Sequence, residues 1–203
     1  MSEVPASEVK KLRELTGAGM MDCKRALQET DGDIDRAVEL LREKGLASVA
    51  KRADRAANQG LIDSYIHFNN TVGVLVEVNS ETDFVANTDE FKQLVKDIAL
   101  HIASPASPRW LRREDVPTDA VGEQERYARA QAKEAGKPDQ VIEKMVAGKI
   151  DAFYGDNVLL EQPFVKDDSK TVQQLLDEVG AKVGEKVAVR RFVRYKLGES
   201  GEE

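Results

Sequence analysis

The residue types that most often catalyse reactions or bind metals are sparse and scattered in this chain. The histidines, His67 and His101, lie far apart and in different predicted elements, so they do not form a zinc-binding pair on one helix face. The Gly-Lys pairs at 136/137 and 148/149 have no upstream glycine at the spacing of a phosphate-binding loop. A Gly-x-Ser-x-Gly nucleophile motif is also missing. We therefore predict no active site, no metal site and no cofactor.

One connecting segment, residues 79–87 (NSETDFVAN), has an unusual combination of side chains. It places Asp83 beside Phe84 between a predicted strand and a predicted helix, where side chains are usually polar and exposed. Two interpretations are open on these residues alone. Asp83 could cap the following helix with Phe84 tucked beneath it, or Phe84 could project as an apolar wedge. Acid-base catalysis by Asp83 ranks last, because paired carboxylates need a defined separation and tuned pKa values that no sequence shows.

The composition is that of an acidic globular protein. The 203 residues include 30 Lys and Arg against 37 Asp and Glu, for a net charge of −7, and 41% are hydrophobic. This length predicts one medium domain plus a small one. Without an apolar run near 18 residues we expect no membrane segment, and the acidic balance argues against direct nucleic-acid binding. The single cysteine, Cys23, excludes an internal disulfide framework and favours a cytoplasmic location.

Residues 1–45 predict a small module of three helices. Ser7, Asp22 and Asp33 are candidate helix starts, and glycines near residues 17, 32 and 45 are candidate ends. Such a bundle is near the lower size limit for independent folding and resembles the ubiquitin-associated type of module. Its expected role is to bind a partner.

Two methionines in this module, Met20 and Met21, follow the glycine turn directly. Adjacent residues on a helix cannot both point inward, so one of them should face solvent. Both could still be packing residues of a tight corner, because Met adapts to irregular cores. The alternative is an adaptable contact surface.

Residues 46–60 are predicted to be an exposed, partly helical linker, and residues 61–203 a core domain. Alternating apolar residues indicate a hairpin from Leu61 to Asn79, turning at Asn69-Asn70, and a further strand at 187–196. Helical patterns cover residues 88–104, 119–135, 139–148 and 172–179. The fold class is therefore α+β, with a three-stranded antiparallel sheet packed on helices.

Five segments of the chain resemble bacterial elongation factor Ts, in order and across nearly the whole length. The two long ones are residues 12–27 (LRELTGAGMMDCKRAL) and 77–87 (EVNSETDFVAN). The shorter ones are residues 73–76 (GVLV), 162–165 (QPFV) and 169–172 (SKTV). Two long motifs at the expected separation make a specific match.

The resemblance implies a function in translation. Members of this family are exchange factors rather than enzymes: they bind elongation factor Tu, GDP-bound or nucleotide-free, and promote GDP release by disturbing its magnesium and phosphate site. The family pattern implies an entering segment at Thr82, Asp83, Phe84 and Val85, with Phe84 as the wedge. It implies contacts to the nucleotide-binding domain from Arg13, Met20, Met21 and Lys24, and further core contacts from Val72, Gly73 and His101.

The same resemblance bears on assembly. Longer family members have a duplicated core half and an inserted helical hairpin, whereas this sequence shows one β-hairpin, one Thr-Asp-Phe-Val segment and one long helix, which looks like the short form. The short form implies a twofold homodimer through the core sheets, without a disulfide at Cys23. A competing hypothesis is that the three-helix module binds another partner while the core only dimerises.

Overall fold

The computed structural model describes residues 4–199, which form eight α-helices and five β-strands, so the α+β prediction is confirmed. The helices are α1 (Ala6–Thr16), α2 (Met20–Glu29), α3 (Ile34–Ala50), α4 (Asp83–Ala86), α5 (Asp89–Ala103), α6 (Thr118–Glu134), α7 (Asp139–Asn157) and α8 (Val172–Val183). The strands are β1 (Gln59–Ile66), β2 (Val72–Ser80), β3 (Pro163–Phe164), β4 (Asp167–Thr171) and β5 (Ala188–Lys196). Within residues 4–199, no helix combines the length and apolar character needed to cross a bilayer.

The predicted three-helix arrangement near the N-terminus is present as α1, α2 and α3. These helices enclose one apolar core made of Val9, Leu12, Cys23, Ala26, Leu27 and Ala37. Asp33 caps α3 as predicted, because its side chain accepts the N–H of Arg36 at 3.0 Å. The likeness to a ubiquitin-associated module stays a prediction.

Several predicted helix ends in this region are wrong. The N-cap of α1 is Pro5 rather than Ser7, and α2 begins at Met20 rather than Asp22. Helix α3 does not end at Gly45 but continues to Ala50. Gly45 serves close packing instead of termination, since a Cβ there would lie only 3.3 Å from the Cβ of Ala181 in α8.

The chain divides into two compact units that are each discontinuous in sequence. The first unit contains residues up to Gly60, Asn79–Phe91 and Leu176–Ala188. The segment around Phe84 and the end of α8 therefore belong to the same unit as the N-terminal helices. The domain assignment at 1–45, 46–60 and 61–203 stays a prediction.

The second unit, formed by Leu61–Val78, Lys92–Leu175 and the residues from Val189 onward, contains most of a three-stranded antiparallel sheet. Its strand order is β1-β2-β5, so the C-terminal strand joins the hairpin as predicted. The hairpin turns at Asn70, which adopts a positive φ of 57°, and Asn69 accepts the N–H of Thr71 at 3.1 Å. The inner face of β2 is buried through Val74, Val76 and Val78.

Helices α6 and α7 pack against each other as a helical hairpin. Their shared apolar core consists of Ala128, Ala132, Ile142 and Val146, and the connection turns at Gly136, whose φ is +66°. These helices, of 17 and 19 residues, correspond to the helical patterns predicted at 119–135 and 139–148, and the assignment to the short form stays a prediction. The sequence pattern also predicts the end of α7 too early, because the glycines at 148 and 155 interrupt its apolar periodicity without ending the helix.

The proline-punctuated stretch between α5 and α6 is held by the end of α7. The backbone of Trp110 accepts the N–H of Leu159 at 2.8 Å, and the N–H of Arg109 donates to the carbonyl of Asn157 at 2.9 Å. Arg113 donates to Glu161 at 2.7 Å and lies 4.4 Å from the centre of the Tyr154 ring. This stretch is thus an ordered structural connection.

A short hairpin, β3 and β4, precedes α8 and was not predicted. Ser169 lies within β4, and the last residue of that strand, Thr171, directly precedes α8. Thr171 performs the capping, because its hydroxyl accepts the N–H of Gln174 at 3.2 Å while its own N–H donates to the Gln174 side chain at 2.8 Å. This reciprocal pair is a capping box.

Candidate partner-binding surface

Phe84 is an exposed aromatic on a one-turn helix. Its exposed fraction is 83%, and Asp83 beside it is also exposed. The N-cap of α4 is Thr82, whose hydroxyl accepts the N–H of Val85 at 3.4 Å. The interpretation in which Asp83 caps the helix and Phe84 is tucked beneath it is therefore wrong.

The helical turn that carries Phe84 is anchored on both sides. Val85 and Ala86 are buried, so the end of the turn points inward while Phe84 points outward. Asn87 donates its side-chain N–H to the carbonyl of Asp83 at 2.9 Å. Thr88 donates its hydroxyl to the carbonyl of Val85 at 2.7 Å. The four residues Thr82–Val85, called the wedge segment below, therefore divide into two anchors, Thr82 and Val85, and two projecting side chains.

Two glutamates hold the start of the wedge segment. Glu185 accepts both the N–H of Thr82, at 3.0 Å, and its hydroxyl, at 2.6 Å. Glu81 accepts the backbone N–H of Lys186 at 2.7 Å and pairs with Arg55 at 3.2 Å. The hydrogen bond from Lys186 is the largest cause that lowers the pKa of Glu81, and the contact with Arg55 adds to it.

Neither glutamate is predicted from the sequence as a supporting residue. Glu185 lies 103 residues after Thr82, in the connection between α8 and β5. No local motif links positions so far apart, and a single sequence contains no covariation signal. The only hint is that two glycines, 180 and 184, precede this connection and permit a tight turn.

The N-terminal module exposes an apolar surface around its glycine turn. Met20 is 50% exposed and Met21 is 66% exposed, so both face solvent rather than one. Helix α2 buries Cys23, Ala26 and Leu27, and the two methionines precede this buried stripe. The interpretation of Met20 and Met21 as corner packing is therefore wrong.

Charged and apolar residues lie around the methionines in the sequence. Arg13 and Lys24 are exposed, as expected for contact residues. Leu15 is 62% exposed, although its spacing in α1 predicts a core position. Its neighbour Thr16 takes the inward position instead, donating its hydroxyl to the Leu12 carbonyl at 2.8 Å.

Val72 and Gly73 lie at the start of β2 and are both half-buried. A Cβ at Gly73 would be 3.1 Å from Cδ1 of Ile66, which places Gly73 next to Ile66 on the sheet. Because side chains alternate between the two faces along a strand, every second residue from Gly73 in β2 and from Ile66 in β1 lies on the same face of the sheet. We call it the outer sheet face; its exposed apolar members on β1 and β2 are Ile62, Ile66 and Leu75. On β5, Arg191 pairs with Glu77 of this face, so the exposed Val193 and Tyr195, which follow Arg191 at alternate positions, are assigned to it as well.

His101 is fully buried, so in this chain it presents no surface that a partner could contact, contrary to the expectation from the family pattern. Its Nδ1 accepts the N–H of Val165 at 3.2 Å. Its Nε2 lies 2.9 Å from Oε1 of Gln162 and therefore acts as the donor. Burial lowers the pKa of His101, which the hydrogen bond to Gln162 opposes only in part.

The orientation of Gln162 is itself fixed. Its side-chain N–H groups donate to the carbonyls of Ala106, at 2.9 Å, and Asp156, at 2.7 Å, which leaves its oxygen for His101. The neutral imidazole with its proton on Nε2 thus satisfies every polar side-chain atom of His101 and Gln162. His101 is a structural residue that ties α5 to the β3 region.

Comparison with known proteins adds a specific family relationship. The family model described as Elongation factor TS matches residues 2–199. Elongation factor Ts of Desulforamulus reducens is 57% identical over 199 residues, covering 98% of this chain and 91% of the relative. Elongation factor Ts of Moorella thermoacetica is 53% identical over 196 residues, covering 97% of this chain and 96% of the relative. The protein of that name from Fervidobacterium nodosum is 53% identical over 197 residues and is covered completely. This chain belongs to the elongation factor Ts family.

Proposed function

We propose that this chain is a guanine-nucleotide exchange factor that binds GDP-bound elongation factor Tu and promotes release of the GDP. The observation that carries the proposal is Phe84, a large apolar side chain that is 83% exposed on an anchored helical turn. An exposed aromatic on a rigid support is typical of a binding hot spot, because its burial on a partner adds affinity at little entropic cost.

The proposed mechanism separates anchoring from perturbation. The exposed Met20 and Met21, with Arg13 and Lys24, would bind the nucleotide-binding domain of the GTPase, while Phe84 enters near its magnesium site. Asp83, exposed beside Phe84, would add a negative charge next to groups that coordinate magnesium and phosphate. Displacing those groups weakens GDP binding. Because the coupling is reciprocal, bound GDP weakens binding of the factor by the same ratio.

Magnitudes explain why both surfaces are needed. Burial of a Phe side chain contributes roughly 1.5 to 3 kcal/mol, which corresponds to about one to two decades in an equilibrium constant. A larger acceleration requires additional binding energy from contacts that do not themselves oppose GDP. The methionine surface of the module would supply it, so that Phe84 and Asp83 can act at the nucleotide site.

Stopped-flow release of a fluorescent GDP analogue from elongation factor Tu tests the proposal. Wild type should accelerate release, and Phe84→Ala should lose most of that acceleration without loss of thermal stability, because the ring is exposed. Phe68→Ala is a matched control, since Phe68 is 86% exposed and lies outside the wedge segment. A wild-type chain that leaves release at the spontaneous rate of an active partner would refute the exchange function. Equal losses in both Phe variants would refute the specific role of Phe84.

We also propose that two copies associate through the outer sheet face as a twofold homodimer. Five large apolar side chains are exposed on this face, and exposed apolar area favours burial against a partner surface. Glu77 and Arg191 pair on the same face at 2.8 Å. Val72 and Gly73 stay proposed as contacts to the GTPase.

A further inference from the structure

Glu185 accepts two hydrogen bonds from Thr82, although 103 residues separate the two positions in the chain. The carboxylate accepts the Thr82 N–H with Oε2 at 3.0 Å and the Thr82 hydroxyl with Oε1 at 2.6 Å. Hydrogen bonds to a charged acceptor are about twice as strong as neutral ones. Thr82 is thus fixed in both its backbone and its side chain by one group.

The hydroxyl of Thr82 transmits this constraint to the helical turn. A hydroxyl has one proton, and donating it to Glu185 leaves the lone pairs of Oγ1 for the N–H of Val85, which lies 3.4 Å away. The carbonyl of Thr82 is also held, because the buried Ser80 donates its hydroxyl to it at 2.9 Å. Every polar atom of Thr82 therefore has a partner immediately before the exposed Phe84.

The position of Glu185 is set by its own connection. Gly184 adopts a φ of +76°, and a Cβ on Gly180 would be 3.0 Å from the backbone oxygen of Glu185. The next residue, Lys186, donates its N–H to Glu81 and its ammonium to the carbonyls of Ala53 and Arg55, at 2.5 and 3.0 Å. The turn that presents Glu185 is consequently tied to the wedge segment and to the residues before β1.

We propose that Glu185 is a positioning residue for nucleotide exchange: it holds Phe84, through Thr82, in the orientation that enters the partner. The inference rests on the proposed exchange function. Without Glu185, the turn would sample several orientations, and only a fraction would be competent to act on the nucleotide site. Docking through the N-terminal module should not depend on this orientation.

The test compares Glu185→Ala with Glu185→Gln and with a control, Glu134→Ala, which removes an exposed carboxylate from α6. GDP release from elongation factor Tu is followed over a range of factor concentrations, giving a maximal rate and a half-saturating concentration. Glu185→Ala removes both hydrogen bonds to Thr82 and should lower the maximal rate about tenfold or more, with little change in half-saturation. Glu185→Gln keeps an acceptor for the Thr82 N–H and should recover part of the rate, while Glu134→Ala should behave as wild type.

A second measurement on the isolated chain separates this inference from the exchange function. Hydrogen exchange at the amides of Thr82 and Val85 should become faster in Glu185→Ala at unchanged melting temperature. Unchanged exchange at these amides, or an unchanged maximal rate, would overturn the positioning role. If wild type itself fails to accelerate GDP release, the exchange function is wrong, whereas faster amide exchange in Glu185→Ala would still establish that Glu185 orders the wedge segment. If Glu185→Ala unfolds globally, the comparison rests on Glu185→Gln, whose maximal rate should still lie below that of wild type; an equal maximal rate would overturn the positioning role.

Discussion

The side chain of Lys182 lies directly on Gly17, so that a Cβ at residue 17 would be only 2.7 Å from Lys182 Cε. The ammonium of the same lysine donates to Glu90 at 2.6 Å. One side chain of α8 thus contacts both the glycine turn that precedes Met20 and the start of α5, just after the wedge segment. All of these residues belong to one compact unit.

Gly17→Ala should lower the free energy of unfolding by about 1 to 2 kcal/mol, because residue 17 has a φ of +68° that a side chain with a Cβ adopts only under strain. Urea denaturation measures the change. Gly136→Ala is the control, since its φ is +66° and, among residues 4–199, a Cβ there would meet nothing within 4 Å. A Gly17→Ala chain as stable as wild type would contradict the strain argument. If Gly17→Ala loses more unfolding free energy than Gly136→Ala, the difference measures the cost of displacing the Lys182 side chain.

Replacing Met20 and Met21 together by Ser should weaken binding to elongation factor Tu without destabilising the chain. Both side chains are already exposed, so their removal costs the isolated chain little. Loss of their burial on the partner should raise the half-saturating concentration about tenfold or more and leave the maximal rate of GDP release unchanged. A lower maximal rate at unchanged half-saturation would contradict the anchoring role.

Stability should fall as the pH drops from about 6.5 towards 5, because His101 is held neutral in the folded chain. Burial lowers its pKa below the ordinary value of about 6.5, so in this range the unfolded chain binds a proton that the folded chain does not. Stability is therefore retained above pH 6.5 and decreases below it, with a slope from this group of at most ~1.4 kcal/mol per pH unit. Denaturant unfolding at several pH values measures the slope.

His101→Gln is the control for that slope. It removes the titrating group, so the part of the pH dependence due to His101 should disappear between about pH 5 and 6.5, whatever the variant's overall stability. The carboxylates titrate mainly below this window, since their ordinary pKa values are about 4. An identical slope in wild type and His101→Gln would show that the buried imidazole does not control it.

Leu75→Asp should convert the proposed dimer to a monomer. Leu75 lies on the outer sheet face and is 48% exposed, so the substitution introduces a charge there with little effect on the buried side of β2. Sedimentation equilibrium or light scattering measures the mass. Tyr127→Asp is the control, because Tyr127 is 67% exposed and lies on α6 rather than on the sheet. Wild type that remains monomeric at high micromolar concentration would contradict the dimer.

The secondary structure was largely predictable from periodicity and capping residues. Asp33 signalled the start of α3 and Asn70 the hairpin turn, because both work through bonds or dihedral angles of their own neighbourhood. Gly45 was misleading, since a glycine can end a helix or permit close packing, and only the position of Ala181 distinguishes the two. Local chemistry is readable from sequence, whereas the reason for a small residue is often a distant contact.

The same distinction applies to the candidate site. The sequence marks Phe84 as unusual but leaves open whether it is tucked beneath a helix capped by Asp83 or projects into solvent. The structure distinguishes the two, because the N-cap of α4 is Thr82. Glu185 was not identifiable, because nothing in its sequence neighbourhood records a bond to Thr82. His101 matched a family position of expected contact, yet burial and its bond to Gln162 make it structural. Exposure of a single residue depends on the whole fold, which explains these failures.

The separation of 103 residues between Thr82 and Glu185 has a consequence for synthesis on the ribosome. Contacts of such high sequence separation form late, because the ribosome releases Thr82 long before Glu185 emerges. A nascent or prematurely terminated chain that ends before α8 would carry the three N-terminal helices and Phe84 but would lack Glu185, the acceptor for the N–H and hydroxyl of Thr82. If the proposed function and the proposed role of Glu185 hold, a product that stops before Glu185 would bind the GTPase yet release its GDP poorly.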